Sequence, residues 1–260
     1  MPVVFNSSKD AAALPIFRDV KPDVMRELMA SAHTAQYQKG AIFLVQSEPV
    51  SRFYVMLEGW CGAKKGNAEG QEAILQIFRR GDFLLEAGHA VLADISPMNL
   101  QALTPVQLLA LSPAAVRNAL ERSADFTTNM LAASVRRCQE LRDHIEHLTL
   151  HNAERRVGRF LLHMRFYTNP EGNDIVLPFD KSLIAAYLGI KPETLSRTLL
   201  AFRKRGFTVE RSHMTVPSRT ALCAYCDTIT MQSCPFACAG DCPNAARHTA
   251  ERGDTLKGLP

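Results

Sequence analysis

Three sets of side chains in this 260-residue chain have the types and spacing to do chemistry. The first is Cys223-x2-Cys226-x7-Cys234-x3-Cys238-x3-Cys242. Thiolates bind zinc tetrahedrally or hold iron–sulfur clusters, and both kinds of site use a C-x2-C turn. Thiol softness alone does not choose between an iron–sulfur cluster, a structural zinc knuckle and a tail of reactive thiols. Five cysteines exceed the four that either site needs, so one of them is spare. The second set is Glu193, Ser196 and Arg197, with Lys191 and Thr194 beside them. Arginine donates two hydrogen bonds to guanine O6 and N7, and glutamate accepts from cytosine N4. The third set is His144, His147 and His151, at i, i+3 and i+7. They could form a metal face, but a solvated helix face is the simpler account.

The element that must position Glu193, Ser196 and Arg197 is the stretch Lys181 to Gly206. Leu183, Ile184, Tyr187 and Leu188 recur at helical spacing and predict a first helix with one buried face. Gly189 supplies the permissive backbone of a tight inter-helix turn. Pro192 suits the first turn of a second helix, whose inward face is Leu195, Leu199 and Phe202. The three polar residues fall on another face near its N-terminus, as in a helix-turn-helix that reads the major groove. Arg203, Lys204 and Arg205 close the helix, where cations suit the dipole and could meet phosphate. Ser182 to Arg219 holds seven Lys/Arg against two Asp/Glu, while the whole chain is only +4. Positive charge is concentrated on the module that needs it.

The rest of the chain reads as scaffold and sensor. An apolar content of 47% with 22% charged residues is globular, and the length suits more than one core. No apolar run is long enough for a bilayer, and MPVVFNSSKD lacks a basic segment followed by an apolar core, so a soluble cytoplasmic protein is expected. A helical pattern covers Pro22 to His33. Apolar runs at Ala41–Val45, Phe53–Leu57 and Ile74–Phe78, parted by Gly-marked breaks, predict a β sandwich or barrel filled by Trp60, Phe43, Phe53, Tyr54 and Phe78. Ser112-Pro113 opens a helix. A longer one, about Asp125 to His151, carries Leu131, Ser134, Cys138, Leu141, Ile145 and Leu148 in steps of three and four, a seam for pairing with a second copy. Cys61 and Cys138 read as core and seam residues. A helix over Ala153–Tyr167, a strand Ile175–Leu177, the helix-turn-helix and a small wing (Phe207–Glu210, Met214–Val216) complete an α+β chain. No nucleophile motif, phosphate loop or metalloprotease pair is present, so an enzyme is not expected. A cysteine-based redox enzyme fused to a DNA-binding fold is the residual alternative.

In this order of elements, residues 14–220 resemble the Crp/Fnr family of bacterial transcription regulators. Glu193-Thr-Leu-Ser-Arg197 is similar to the Fnr-type E-x-x-S-R recognition helix. Gly40, Gly59 and Gly81 sit where the family's β-roll turns. His144 to Leu162 and Lys191 to Arg197 are similar to the Dnr branch. The resemblance implies a cyclic-nucleotide-binding-like β-roll (1–124), a dimerisation helix (125–151), a winged helix-turn-helix (152–220) and an added cysteine-rich tail (221–260). It implies a homodimer on double-stranded DNA of the TTGAT-N4-ATCAA kind, with Glu193, Ser196 and Arg197 on bases and RNA polymerase as a further partner. Two departures matter. The stretch from Gly81 to Met98 has no Arg-Ser/Thr pair for a cyclic phosphate, so a cyclic nucleotide is not expected. No cysteine precedes Cys61, so the usual N-terminal Fnr [4Fe–4S] cluster cannot be built. Two sensors remain: an iron–sulfur cluster, of the 4Fe–4S kind among others, in the tail, responding to redox state, oxygen or nitric oxide; or, as the Dnr resemblance suggests, a nitric-oxide-binding haem on His33 or His89, with the tail holding zinc or redox thiols. A signal at either site would act by altering helix packing across the dimer, and so the spacing of the two recognition helices.

Overall fold

The computed structural model describes residues 13–67, 69, 72–84, 95–169, 172–210, 212–218, 220–226 and 234. The chain forms two compact units, which divide between Ile145 and Glu146.

In the first unit, helix α1 (Pro22–Ala30) starts on its proline and precedes strands β1 (His33–Tyr37), β2 (Ile42–Leu44), β3 (Phe53–Glu58), β4 (Cys61–Gly66), β5 (Glu72–Phe78), β6 (Asn99–Ala102) and β7 (Val106–Leu111). These make two antiparallel sheets, ordered β1-β7-β3 and β2-β6-β4-β5. Phe53 to Leu57 is buried at every position, which is why that strand reads as an unbroken apolar run instead of an alternation. Gly40, Gly59 and Gly81 all have positive φ. At Gly59 (φ +86°) a Cβ would stand 2.3 Å from the Pro105 carbonyl oxygen, so the turn admits no side chain.

Two sequence expectations need correction here. The first helix stops at Ala30, because His33 and Thr34 are taken into β1 opposite Ala110 and Leu109. Trp60 and Phe43 are only half-buried. Of the residues expected to fill the roll, Phe53, Tyr54 and Phe78 are buried in the core, joined by Leu and Met side chains and by Phe17, Phe83 and Phe126, and Phe43 packs against it. Helix α2 (Pro113–Arg122) follows Ser112, whose extended backbone starts the helix without a side-chain cap. Helix α3 runs Ala124–Leu150.

The second unit is built on helix α4 (Ala153–Thr168). The Asn152 side chain accepts from the Arg155 N–H at 2.9 Å and caps it. Strand β8 (Asp174–Val176), helix α5 (Lys181–Tyr187), helix α6 (Pro192–Lys204) and strands β9 (Thr208–Glu210) and β10 (His213–Thr215) follow. The wing is a three-stranded antiparallel sheet in the order β8-β10-β9. Val157, Leu161, Ile175, Leu195, Phe202, Met214 and Leu222 are buried together in this unit. Gly189 takes φ +59° in the turn between α5 and α6. Arg156 holds that turn in place. Its guanidinium donates to the carbonyls of Leu188 (3.1 Å), His151 (2.8 Å) and Leu148 (2.6 Å). Among the described residues no helix is long and apolar enough to cross a membrane.

Candidate DNA-reading and thiol sites

Helix α6 buries Leu195, Leu199 and Phe202 and turns Glu193, Ser196 and Arg197 to solvent, with Lys191 just before its first residue. Thr194 is half-buried. Among the described residues, the side chains of Glu193, Ser196 and Arg197 make no hydrogen bond or ion pair within the chain. Their full donor and acceptor capacity faces outward at a helix N-terminus, the geometry that direct base readout requires.

The basic end of α6 is less uniform than its sequence suggests. Lys204 is exposed. Arg203 donates to the Val209 carbonyl and ties the helix to β9. Arg205 pairs with Glu154 at the start of α4 (2.6 Å) and donates to the Tyr225 hydroxyl (2.9 Å). The same hydroxyl donates to Glu154 (2.9 Å). The Arg205 guanidinium, and then the Tyr225 hydroxyl, hold the Glu154 carboxyl below the usual carboxylate range. Burial, reinforced by Glu154, raises the Tyr225 phenol.

Tyr225 belongs to the tail. It closes a 3-10 turn, Cys223–Tyr225, in which the Cys226 N–H donates to the Cys223 carbonyl at 3.1 Å. Cys223 and Cys226 therefore lie at the two ends of one turn, the backbone arrangement of a C-x2-C ligand pair. Both are half-buried, as is Cys234. Cys238 and Cys242 lie outside the described residues. Among the described residues no group of three or more Cys, His, Asp or Glu is gathered as a metal site. The His147 and His151 rings lie tilted at 43°, 4.6 Å between centroids. Desolvation first, then His147, lowers the His151 pKa.

On α3, Leu131 and Ile145 are each 63% exposed and Cys138 is exposed. Val135, 48% exposed, joins them, so the outward apolar line steps Leu131, Val135, Cys138, Ile145. Ser134, Leu141 and Leu148 are half-buried. Val135 was missed because Ser134 and Val135 both satisfy a three-or-four step, and only burial separates them.

His33 is exposed on β1, the outer strand of its sheet, and is not among the residues lining the cleft of this unit. His89 lies outside the described residues. The cleft, about 60 Å³, lies between the sheet edge at Gln76, Phe78 and Asp82 and the α3 residues Ser134, Arg136 and Arg137. Arg137 stacks 4.6 Å over Phe78 and pairs with Asp82 (3.6 Å) and Glu140 (2.6 Å). Both carboxylates of the described lining thus engage Arg137, and Arg136 is its other cation.

A β-roll unit followed by a winged helix-turn-helix with an outward polar face on its second helix defines a DNA-binding transcriptional regulator of the sensor-plus-reader class. Comparison with known proteins places it further. The model of the cyclic nucleotide-binding domain matches residues 34–123, and that of the Crp-like helix-turn-helix domain matches residues 155–225. The chain belongs to the Crp/Fnr family. It is 25% identical over 190 residues to "Probable transcriptional regulator flp" of Lacticaseibacillus casei, covering 72% of this chain and 84% of that protein. It is 25% identical over 188 residues to the nitrogen fixation regulation protein FixK of Bradyrhizobium diazoefficiens, covering 70% and 76%. The solved structure of FixK2 from Bradyrhizobium japonicum superposes with a TM-score of 0.68 at 22% identity, over 76% of this chain and 98% of that one. These relatives are regulators and not enzymes, and regulators of this family bind DNA and act as dimers. Residues 226–260 lie beyond the segments that these two models match.

Proposed function

We propose that this chain is a homodimeric regulator that reads an Fnr-like palindrome and couples redox state, oxygen or nitric oxide to DNA affinity through an iron–sulfur cluster in its cysteine-rich tail. The observation that carries the reading is the pairing of two features on one unit. The polar face of α6 is outward and unengaged, and Cys223 and Cys226 lie on a turn docked against the end of that helix. Glu193, Ser196 and Arg197 contact bases, with Lys191, Thr194 and Lys204 around them. The exposed line Leu131, Val135, Cys138 and Ile145 pairs two copies through α3, which sets two half-sites one helical turn apart. Residues 1–124 form the sensory β-roll, 125–151 the dimer helix, 152–220 the reader and 221–260 the tail. RNA polymerase is the downstream partner. The cysteines would hold the cluster as thiolates, and the cluster would supply the redox or gas-sensitive chemistry.

The test is purification without oxygen, followed by metal analysis, an absorbance spectrum and titration onto a TTGAT-N4-ATCAA duplex. Iron and inorganic sulfide with a visible charge-transfer band, lost in air together with a change in DNA affinity, is the expected result. A colourless protein with stoichiometric zinc would sink the cluster reading and leave a structural zinc tail. A Soret band would transfer sensing to a haem.

A further inference from the structure

We infer that Tyr225 is a positioning residue that transmits the ligation state of Cys223 and Cys226 to the recognition helix. The inference rests on the thiol-site reading above and adds the route by which that site reaches DNA.

The seat of Tyr225 is built for its ring. Gly158 lies inside α4, where glycine disfavours the helix relative to alanine. A Cβ at Gly158 would stand 2.3 Å from Tyr225 Cγ and 2.4 Å from its Cδ1. The missing side chain is the notch that the ring fills. The ring also packs against Phe202 of α6, 5.5 Å between centroids, and Phe202 is itself fully buried. At the ring's tip the hydroxyl sits between the Glu154 carboxylate and the Arg205 guanidinium, 2.9 Å from each. One side chain thus touches the start of α4, the core face of the recognition helix and the cation just past its end.

Tyr225 is also bracketed by thiols. Cys223 begins its 3-10 turn and Cys226 follows it, while Leu222, fully buried, anchors the turn from behind. The turn closes through Tyr225 N–H to the Leu222 carbonyl (3.0 Å) and Cys226 N–H to the Cys223 carbonyl (3.1 Å). Drawing the two thiolates onto one cation, or releasing them, changes the backbone that aims the ring between them. A tight notch and two hydrogen bonds make the seated state discrete, so a small change in the turn has two outcomes, seated or unseated. Unseating removes the packing behind Phe202 and a partner from Arg205.

The test uses full-length protein, reduced and chelator-stripped, against the same protein loaded with Zn²⁺ as a thiolate probe. Tyr225→Phe keeps the ring and deletes the hydroxyl bridge. Gly158→Ala fills the notch and, by helix propensity, favours α4. Wild type should show operator Kd values that differ about tenfold between the two states, inside the usual span of allosteric couplings. Both variants should bind Zn²⁺ with wild-type stoichiometry and reduce that ratio to about twofold or less. By reciprocity, operator DNA should change Zn²⁺ affinity by the same factor in wild type and not in the variants. An unchanged ratio in both variants would overturn the Tyr225 route and leave thiol sensing standing. No ratio in wild type would overturn both.

Discussion

Replacing Arg197 by alanine separates base reading from every other role of helix α6. Arg197 is exposed, and its guanidinium makes no hydrogen bond or ion pair among the described residues. Its removal therefore leaves no buried group unpaired, and the change in folding stability should stay within about 0.5 kcal/mol. The loss should fall on the complex alone. A bidentate arginine–guanine contact contributes about 1–3 kcal/mol. A dimer makes it in both half-sites, so the penalty is about 2–6 kcal/mol, or roughly 30-fold to 10⁴-fold in Kd. Fluorescence anisotropy on the palindromic duplex and on a scrambled one, at several salt concentrations, reads this directly. The operator-to-scrambled ratio should collapse while the salt slope stays near the wild-type value. If binding to both duplexes weakens equally and the slope falls by about one per half-site, Arg197 contacts phosphate and the assignment is wrong.

Phe202→Ala should destabilise the reader unit by about 3–5 kcal/mol, since the ring is fully buried and packs on Phe207 and Tyr225. Denaturant unfolding should show an earlier transition for this unit; a midpoint shift worth under about 1 kcal/mol would contradict the packing. The depressed Glu154 pKa means that its stabilising contribution is present above the unfolded carboxylate value, about 4.3, and is lost as pH falls through the folded value. Glu154→Gln should therefore narrow its stability gap from wild type on acidification, and a gap constant from pH 7 to 3 would refute it. Cys61 is fully buried and burial raises its thiol pKa, whereas Cys138 is exposed. Iodoacetamide at pH 8 should spare Cys61 in the native protein and label Cys138 only where the subunits dissociate, as read by peptide mass mapping, and labelling of native Cys61 would rule out this core.

The reader was legible in the sequence because its signals are local. Leu195, Leu199 and Phe202 at helical spacing, Gly189 in the turn and Pro192 at the helix start each follow from backbone geometry within a few residues, and each is where it was expected. The β-roll turns at Gly40, Gly59 and Gly81 were legible for the same reason. What escaped was settled by contacts distant in sequence. Arg203 and Arg205 read as phosphate-facing cations, yet Val209, Glu154 and Tyr225 engage them inside the unit. Gly158 carries no local signal, because the Tyr225 ring that fills its notch comes 67 residues later. Trp60 read as core filling, but it lies in the turn between β3 and β4 and is only half-buried. Asn152 was the exception, a local cap signal directly before α4 that pattern reading could have used.

The threefold grip of Arg156 has a mechanical consequence. One planar cation joins carbonyls at the last turn of α3, at the link to α4 and at the turn of the helix-turn-helix. Those segments behave as a single rigid joint with no play, because bending any one of them strands a charge-assisted hydrogen bond. Leu148 and Leu188 then act as a fixed bracket, and compliance along the long helix has to reside upstream of it. A torque that reaches that bracket is delivered to the reading head undamped.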